Sequence, residues 1–173
     1  MIRPSLLLAG FLLSACQHAA GVPTADPSEH DARGEVLRYV FGTTDGEELS
    51  AQSMRGRVTV LIFVTTFDLA SQVAAKRVNQ VLHTHRPRIN AGAVVLEAPK
   101  YAPLAAVFRS ALDLSYPVAI ADLTTVAQNS TLGELRSVPT LLVLDAEGRE
   151  ILRKSGAFSV SELDGWLARA ERQ

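Results

Sequence analysis

The chain has 173 residues, with 17 basic against 18 acidic side chains and 47% hydrophobic content. That near-neutral balance, without a run of Lys and Arg, argues against a nucleic-acid partner. The single cysteine, Cys16, excludes an internal disulfide and any chemistry that needs two thiols.

The N-terminus carries Arg3 and then an apolar run from Leu6 to Leu13. Eight residues suit the core of a secretory leader and fall well short of the ~20 needed to span a bilayer. The run ends in Leu13-Ser14-Ala15-Cys16, which resembles the bacterial lipobox. The resemblance implies that residues 1–15 are removed and that Cys16 becomes the lipidated first residue, tying the chain to membrane lipid. Two or three acyl chains anchor stably, because each buried methylene contributes about 0.8 kcal/mol. Gln17, rather than an acidic residue, follows Cys16 and favours the outer membrane over the inner by analogy with enterobacterial sorting. Losing residues 1–15 removes Arg3 and no acid, leaving 16 basic and 18 acidic residues. Residues 16–34 are polar, contain Gly21, Pro23 and Pro27, and read as a flexible spacer. Residues 35–173 are long enough for one domain with its own core.

The domain opens with Val36–Phe41, then Asp45-Gly46, then Glu47–Leu49, which predicts an N-terminal β-hairpin. Val58–Val64 is continuous and rich in β-branched residues, the pattern of a strand buried on both faces. From Asp68 to His83 the spacing turns helical, with Ala70, Ala74, Val78, Val81 and Leu82 on one face. Ala93–Leu96 reads as a second buried strand. Pro103 begins a helix whose apolar stripe is Leu104, Val107, Phe108, Ala111 and Leu112. Pro117–Ile120 is extended, and Asp122–Ser137 is irregular. Thr140–Leu144, a turn at Ala146–Gly148, and Glu150–Leu152 predict a second hairpin. Ser159 and Glu162 form a capping box before a last helix that turns Leu163, Trp166, Leu167 and Ala170 inward. Strands alternating with helices around a central buried strand imply an α/β sandwich, with helices flanking a mixed sheet.

Three segments carry a resemblance to a known family. They are Thr44-Asp45-Gly46 with Met54-Arg55-Gly56-Arg57; Phe63 to Ser71; and Ser137-Val138-Pro139-Thr140 followed by Asp145-Ala146-Glu147-Gly148. In this order and spacing they resemble the periplasmic thioredoxin-like proteins that include the membrane-tethered TlpA-type reductases of cytochrome maturation, over roughly residues 36–170. The resemblance implies a thioredoxin-like fold, a cis proline at Pro139, and a substrate-peptide groove near Phe67, Val138, Pro139 and Thr140. It also sets Asp68 and Ser71 where the family has its Cys-x-x-Cys pair. Thiol–disulfide exchange needs a thiolate to attack and a second thiol to resolve. Neither a carboxylate nor a hydroxyl can do this, so thioredoxin chemistry and the peroxidase chemistry of related peroxiredoxins are both excluded by composition.

At that place Asp68 has a physical use as the N-cap of the following helix, accepting from Ala70 or Ser71 N–H. His18 and His30 lie in the spacer, and His83 and His85 at the end of the first helix. Residues i and i+2 of a helix point to different faces, so no metal is expected there, and no cofactor is implied. Thr65 and Thr66 read as strand-ending residues, and Trp166 as packing. The leading expectation is a lipid-anchored, redox-inactive thioredoxin-like domain that binds or helps assemble periplasmic polypeptides, rather than an enzyme. Non-thiol chemistry at Asp68 and Ser71, or a purely structural envelope lipoprotein, are the alternatives.

Overall fold

The structure is a computed structural model that describes residues 34–172. The leader, Cys16 and all but the last spacer residue therefore lie outside the described residues. Among the described residues no helix is long and apolar enough to cross a membrane.

A hairpin of β1 (Val40–Gly42) and β2 (Glu48–Ser50) comes first. Then follow β3 (Val58–Val64), α1 (Leu69–His85), β4 (Ile89–Val95), α2 (Ala102–Ala111) and β5 (Val118–Ile120). The short α3 (Leu123–Val126), β6 (Thr140–Leu144), β7 (Glu150–Ser155) and α4 (Val160–Ala170) complete the chain. The five-stranded sheet has the order β5-β4-β3-β6-β7. Strands β3, β4 and β5 are mutually parallel; β6 adds antiparallel to β3, and β7 antiparallel to β6. The α/β sandwich with a mixed central sheet and an N-terminal hairpin is thus the observed architecture.

Every residue of β3 is buried, because each face of the sheet carries a core. Val58, Val60, Ile62 and Val64 point to a layer built by α1, α2 and α4, with Val78, Phe108 and Leu167 among its residues. Leu61 and Phe63 point the other way, to Tyr39, Phe41 and Leu49 of the hairpin and to Leu132 and Leu135. Among the described residues, both cores draw on positions from Leu37 to Ala170. The hairpin also wraps the outer edge of β5, where Thr43 bridges Ala119 and Thr44 N–H donates to Val118 C=O.

Several local expectations shift. Strand β4 starts at Ile89, four residues before the apolar run that marked it. Its Gly92 hides the pattern, since a Cβ there would sit 2.7 Å from Leu49 Cδ1, and the leucine fills the space instead. In α1 the inward position near the start is Ser71, while Ala70 is exposed. Helix α2 is turned so that Ala105 and Phe108 are buried and Leu104, Val107 and Ala111 face outward. The irregular stretch contains α3, capped by Asp122 through Thr125 N–H. The capping box of α4 is present, and its four apolar residues are buried. Trp166 packs against Phe158 with ring centroids 6.2 Å apart.

The end of α1 is not simply an exposed terminus. His83 is exposed, but His85 is buried, with Nε2 3.0 Å from Asp164 and Nδ1 3.1 Å from Glu171. Both ring nitrogens therefore link α1 to α4. Among the described residues no group of three ligating side chains is placed to hold a metal.

Gly92→Ala should push Leu49 out of its seat and destabilise the domain by about 1–3 kcal/mol, as overpacking does. Urea unfolding of the two proteins measures it, and an unchanged midpoint would show that the hairpin yields freely.

Candidate functional site at the carboxyl edge of the sheet

Because β3, β4 and β5 run the same way, the segments after them leave the sheet along one edge. These are residues 65–68, 96–101 and 121–123, and β6 enters at the same edge through residues 138–139. Carboxyl ends of parallel strands are the usual place for ligand sites in open α/β sheets.

Asp68 is the N-cap of α1, with extended backbone at φ −93° and ψ 123°. Its Oδ1 accepts from Ala70 N–H at 3.3 Å, and its Oδ2 from Ser71 N–H and the Ser71 hydroxyl, both at 2.8 Å. The Ser71 hydroxyl is the chief cause, with the Ser71 and Ala70 amides beside it, of a carboxyl held below the usual carboxylate range. Asp68 is therefore ionised at neutral pH, and the cap is the one its position suggests. Ser71 is 0% exposed. Its Oγ also accepts Thr65 N–H at 3.2 Å, so the hydroxyl is sealed from solvent and engaged on both sides. Among the described residues, no histidine, lysine or arginine bonds to Asp68.

Glu97, unremarked in the sequence, completes this framework. It lies two residues past β4 and is buried, and its Oε1 accepts Thr66 N–H at 2.6 Å and the Thr66 hydroxyl at 2.7 Å. Gln72 Nε2 donates to Thr66 C=O at 3.2 Å. Thr66 is thus a fixed anchor of the loop and more than a strand-ending residue. Only a charge placed directly after the apolar run Ala93–Leu96 hinted at Glu97.

Pro139 is buried and follows a cis bond from Val138. Thr140 pairs with Phe63 at the end of the β3–β6 ladder, so Val138 and Pro139 leave the sheet at the same end as Val64 and Thr65. The Thr140 hydroxyl donates to Ser137 C=O at 2.6 Å, and Pro139 C=O accepts Gly156 N–H at 2.8 Å. Val138 is half-buried, and among the described residues its backbone N–H and C=O take no partner. Phe67 and Leu69 are 79% and 72% exposed, and Tyr101, Leu104 and Leu123 are exposed along the same edge. The structure therefore brings Phe67, Asp68, Ser71, Val138, Pro139 and Thr140 to one edge, and Cys16 lies outside the described residues. Two cavities, of about 360 and 240 Å³, lie elsewhere.

No protein-family model matches the chain, and no curated protein matches it. Solved structures do. A DsbF homologue from Corynebacterium diphtheriae superposes with a TM-score of 0.71 at 16% identity, covering 86% of this chain and 96% of the other. A thiol:disulfide interchange protein of the thioredoxin family from Chlorobium tepidum gives 0.69 at 21% identity, covering 82% and 99%. StoA from Bacillus subtilis gives 0.61 at 18% identity, covering 77% and 98%. The fold is thioredoxin-like. At these identities the likeness is one of architecture.

Asp68→Asn keeps an acceptor but loses the charge. A depressed folded-state pKa contributes stability that is present above the unfolded value near 4 and is lost as pH falls through the folded one. The wild-type chain should therefore unfold above the variant at pH 7, and the gap should narrow as pH falls below the ordinary carboxylate range. Thermal melts at pH 7 and below that range test it; a constant gap would show that charge is not what the cap uses. Glu97→Ala should cost about 1–3 kcal/mol by leaving Thr66 N–H without its acceptor. It should also speed amide exchange at Thr66, and protection unchanged by the substitution would rule out the anchor.

Proposed function

We propose that this is an exported lipoprotein, acylated at Cys16, whose redox-inactive thioredoxin-like domain binds polypeptides in the periplasm. The recognition surface is the edge formed by Phe67, Asp68, Val138 and Pro139, and the outer membrane is the favoured site of the anchor. One observation carries the reading. Where the resembling family keeps two thiols, Asp68 and Ser71 bond to each other and satisfy the helix start, while the only sulfhydryl in the sequence is Cys16.

Binding needs no thiol. An extended segment laid along Val138 would meet an unpartnered backbone N–H and C=O, with the exposed Phe67 and Leu69 beside it. Backbone pairing supplies affinity in such a mode and neighbouring side chains supply selectivity, while contiguous exposed apolar side chains are characteristic of docking surfaces. The sealed hydroxyl of Ser71 speaks against the non-thiol enzyme. An inert spacer would have no use for five large apolar side chains on one edge.

A photo-crosslinking residue placed at Phe67 or Val138 in the native envelope should capture the same polypeptides, and one placed at Val40 should not. Labelled fatty acid should enter the wild-type chain and not Cys16→Ala. Identical capture from all three positions would remove the binding edge, and label retained in Cys16→Ala would remove the anchor.

A further inference from the structure

The end of the domain opposite this edge carries a second surface. Its centre is the cavity of about 240 Å³, lined by Met54, Arg57, Arg86, Pro87, Asn90 and Tyr116 among others, with no carboxylate in its wall. Arg55, Arg57 and Arg86 are exposed, and among the described residues none of them pairs with an acid. Arg86 instead donates to Ser115 C=O at 2.5 Å. Neighbouring charges are already spoken for. Arg88 pairs with Glu171, and Arg149 lies 3.6 Å from both Asp145 and Glu147; Asp113 is exposed beyond α2. The cavity wall itself therefore carries uncompensated positive charge, while the acids of this end, Asp113, Asp145, Glu147, Asp164 and Glu171, lie outside it.

This is also where the chain enters the domain. Leu37 N–H donates to Gly148 C=O at 3.0 Å, and Val36 bridges Arg149. The same β6–β7 turn accepts Gly56 N–H at Ala146 C=O, 2.9 Å away. The start of the domain and the Arg55–Arg57 loop thus share one support.

We propose that the arginine-lined mouth of this cavity faces the membrane, with Arg57 and Arg86 engaging the phosphates of anionic lipid headgroups. The proposal rests on the reading of Cys16 as the anchor. The segment from Cys16 to Gly34 reaches at most roughly 60 Å when extended, so it holds the domain near the bilayer without fixing its orientation. Charge does that. Cationic side chains near an anionic surface each strengthen association by roughly fivefold, and guanidinium groups suit phosphate geometry. The polypeptide-binding edge then points away from the lipid, towards the space where partners move.

The test couples residues 16–173 through the Cys16 thiol to maleimide-bearing lipid in vesicles, which imposes the tether whatever the cell does to Cys16. Amide exchange is read at residues 54–57 and 86–90. On vesicles containing roughly a third phosphatidylglycerol, exchange there should slow by about fivefold or more relative to phosphatidylcholine alone. The effect should vanish in Arg57→Glu/Arg86→Glu and at roughly 0.5 M salt, while residues 65–71 stay unchanged. Arg86→Glu also gives up the bond to Ser115 C=O, so Arg57→Glu alone, which breaks no side-chain bond, is run beside the double variant and should lose part of the protection with an unchanged melt. Equal exchange on the two vesicle types would overturn the proposal, as would slowing at 65–71 instead. Inorganic phosphate at about 10 mM producing the same protection on neutral vesicles would also overturn it, marking a small-anion cavity. Equal exchange on the two vesicle types would leave the polypeptide-binding edge standing, so the two readings fail separately.

Discussion

Everything at the carboxyl edge depends on how the start of α1 is satisfied. A helix beginning at the end of a buried strand presents unpaired N–H groups and a partial positive charge. Asp68 answers both with one carboxylate, taking the Ala70 and Ser71 amides and the Ser71 hydroxyl. The same field can hold a thiolate in a redox protein. Here it holds a group that cannot exchange disulfides, and the Ala70, Ser71 and Gln72 amides are all taken by Asp68. The arrangement is suited to rigidity rather than reaction.

That rigidity extends sideways. Glu97 ties the loop after β3 to the exit of β4 through Thr66, and Thr65 N–H reaches Ser71. On the other side the Thr140–Phe63 pair and the Gly156 to Pro139 bond hold the start of β6. Exposed apolar side chains such as Phe67 and Leu69 thus sit on a frame whose polar groups are mostly paired. A frame of this kind loses little freedom when a partner is laid on it, and preorganisation of this sort is what lets modest contact area yield useful affinity.

The sequence made the central layer readable because β3 is apolar without interruption, and the cap at Asp68 and the box at Ser159 are local patterns that need no tertiary knowledge. What escaped was decided by contacts distant in the chain. Gly92 blurred the start of β4 because its missing side chain is replaced by Leu49, over forty residues earlier. Leu104, Val107 and Ala111 satisfied a helical period as well as the buried Ala105 and Phe108 did, and only the position of α2 on the sheet chose between them. His85 looked like a terminus until α4 returned to cover it. Glu97 is legible only as a charge at the end of an apolar strand, and its partner Thr66 lies 31 residues away. The Arg57–Arg86 juxtaposition is likewise invisible in a linear reading, which sees no basic run.

The hairpin's hold on β5 has a consequence for how two copies of the domain can meet. An uncovered strand invites pairing with a neighbouring copy. With Thr43 and Thr44 seated along β5, that border of the sheet is closed by the chain's own backbone. The opposite border, β7, pairs its Arg153 with Glu150 and leaves Lys154 as the unpaired charge, and a lysine on an edge strand disfavours pairing with another chain. Edge-to-edge pairing of two copies is thereby disfavoured at both borders.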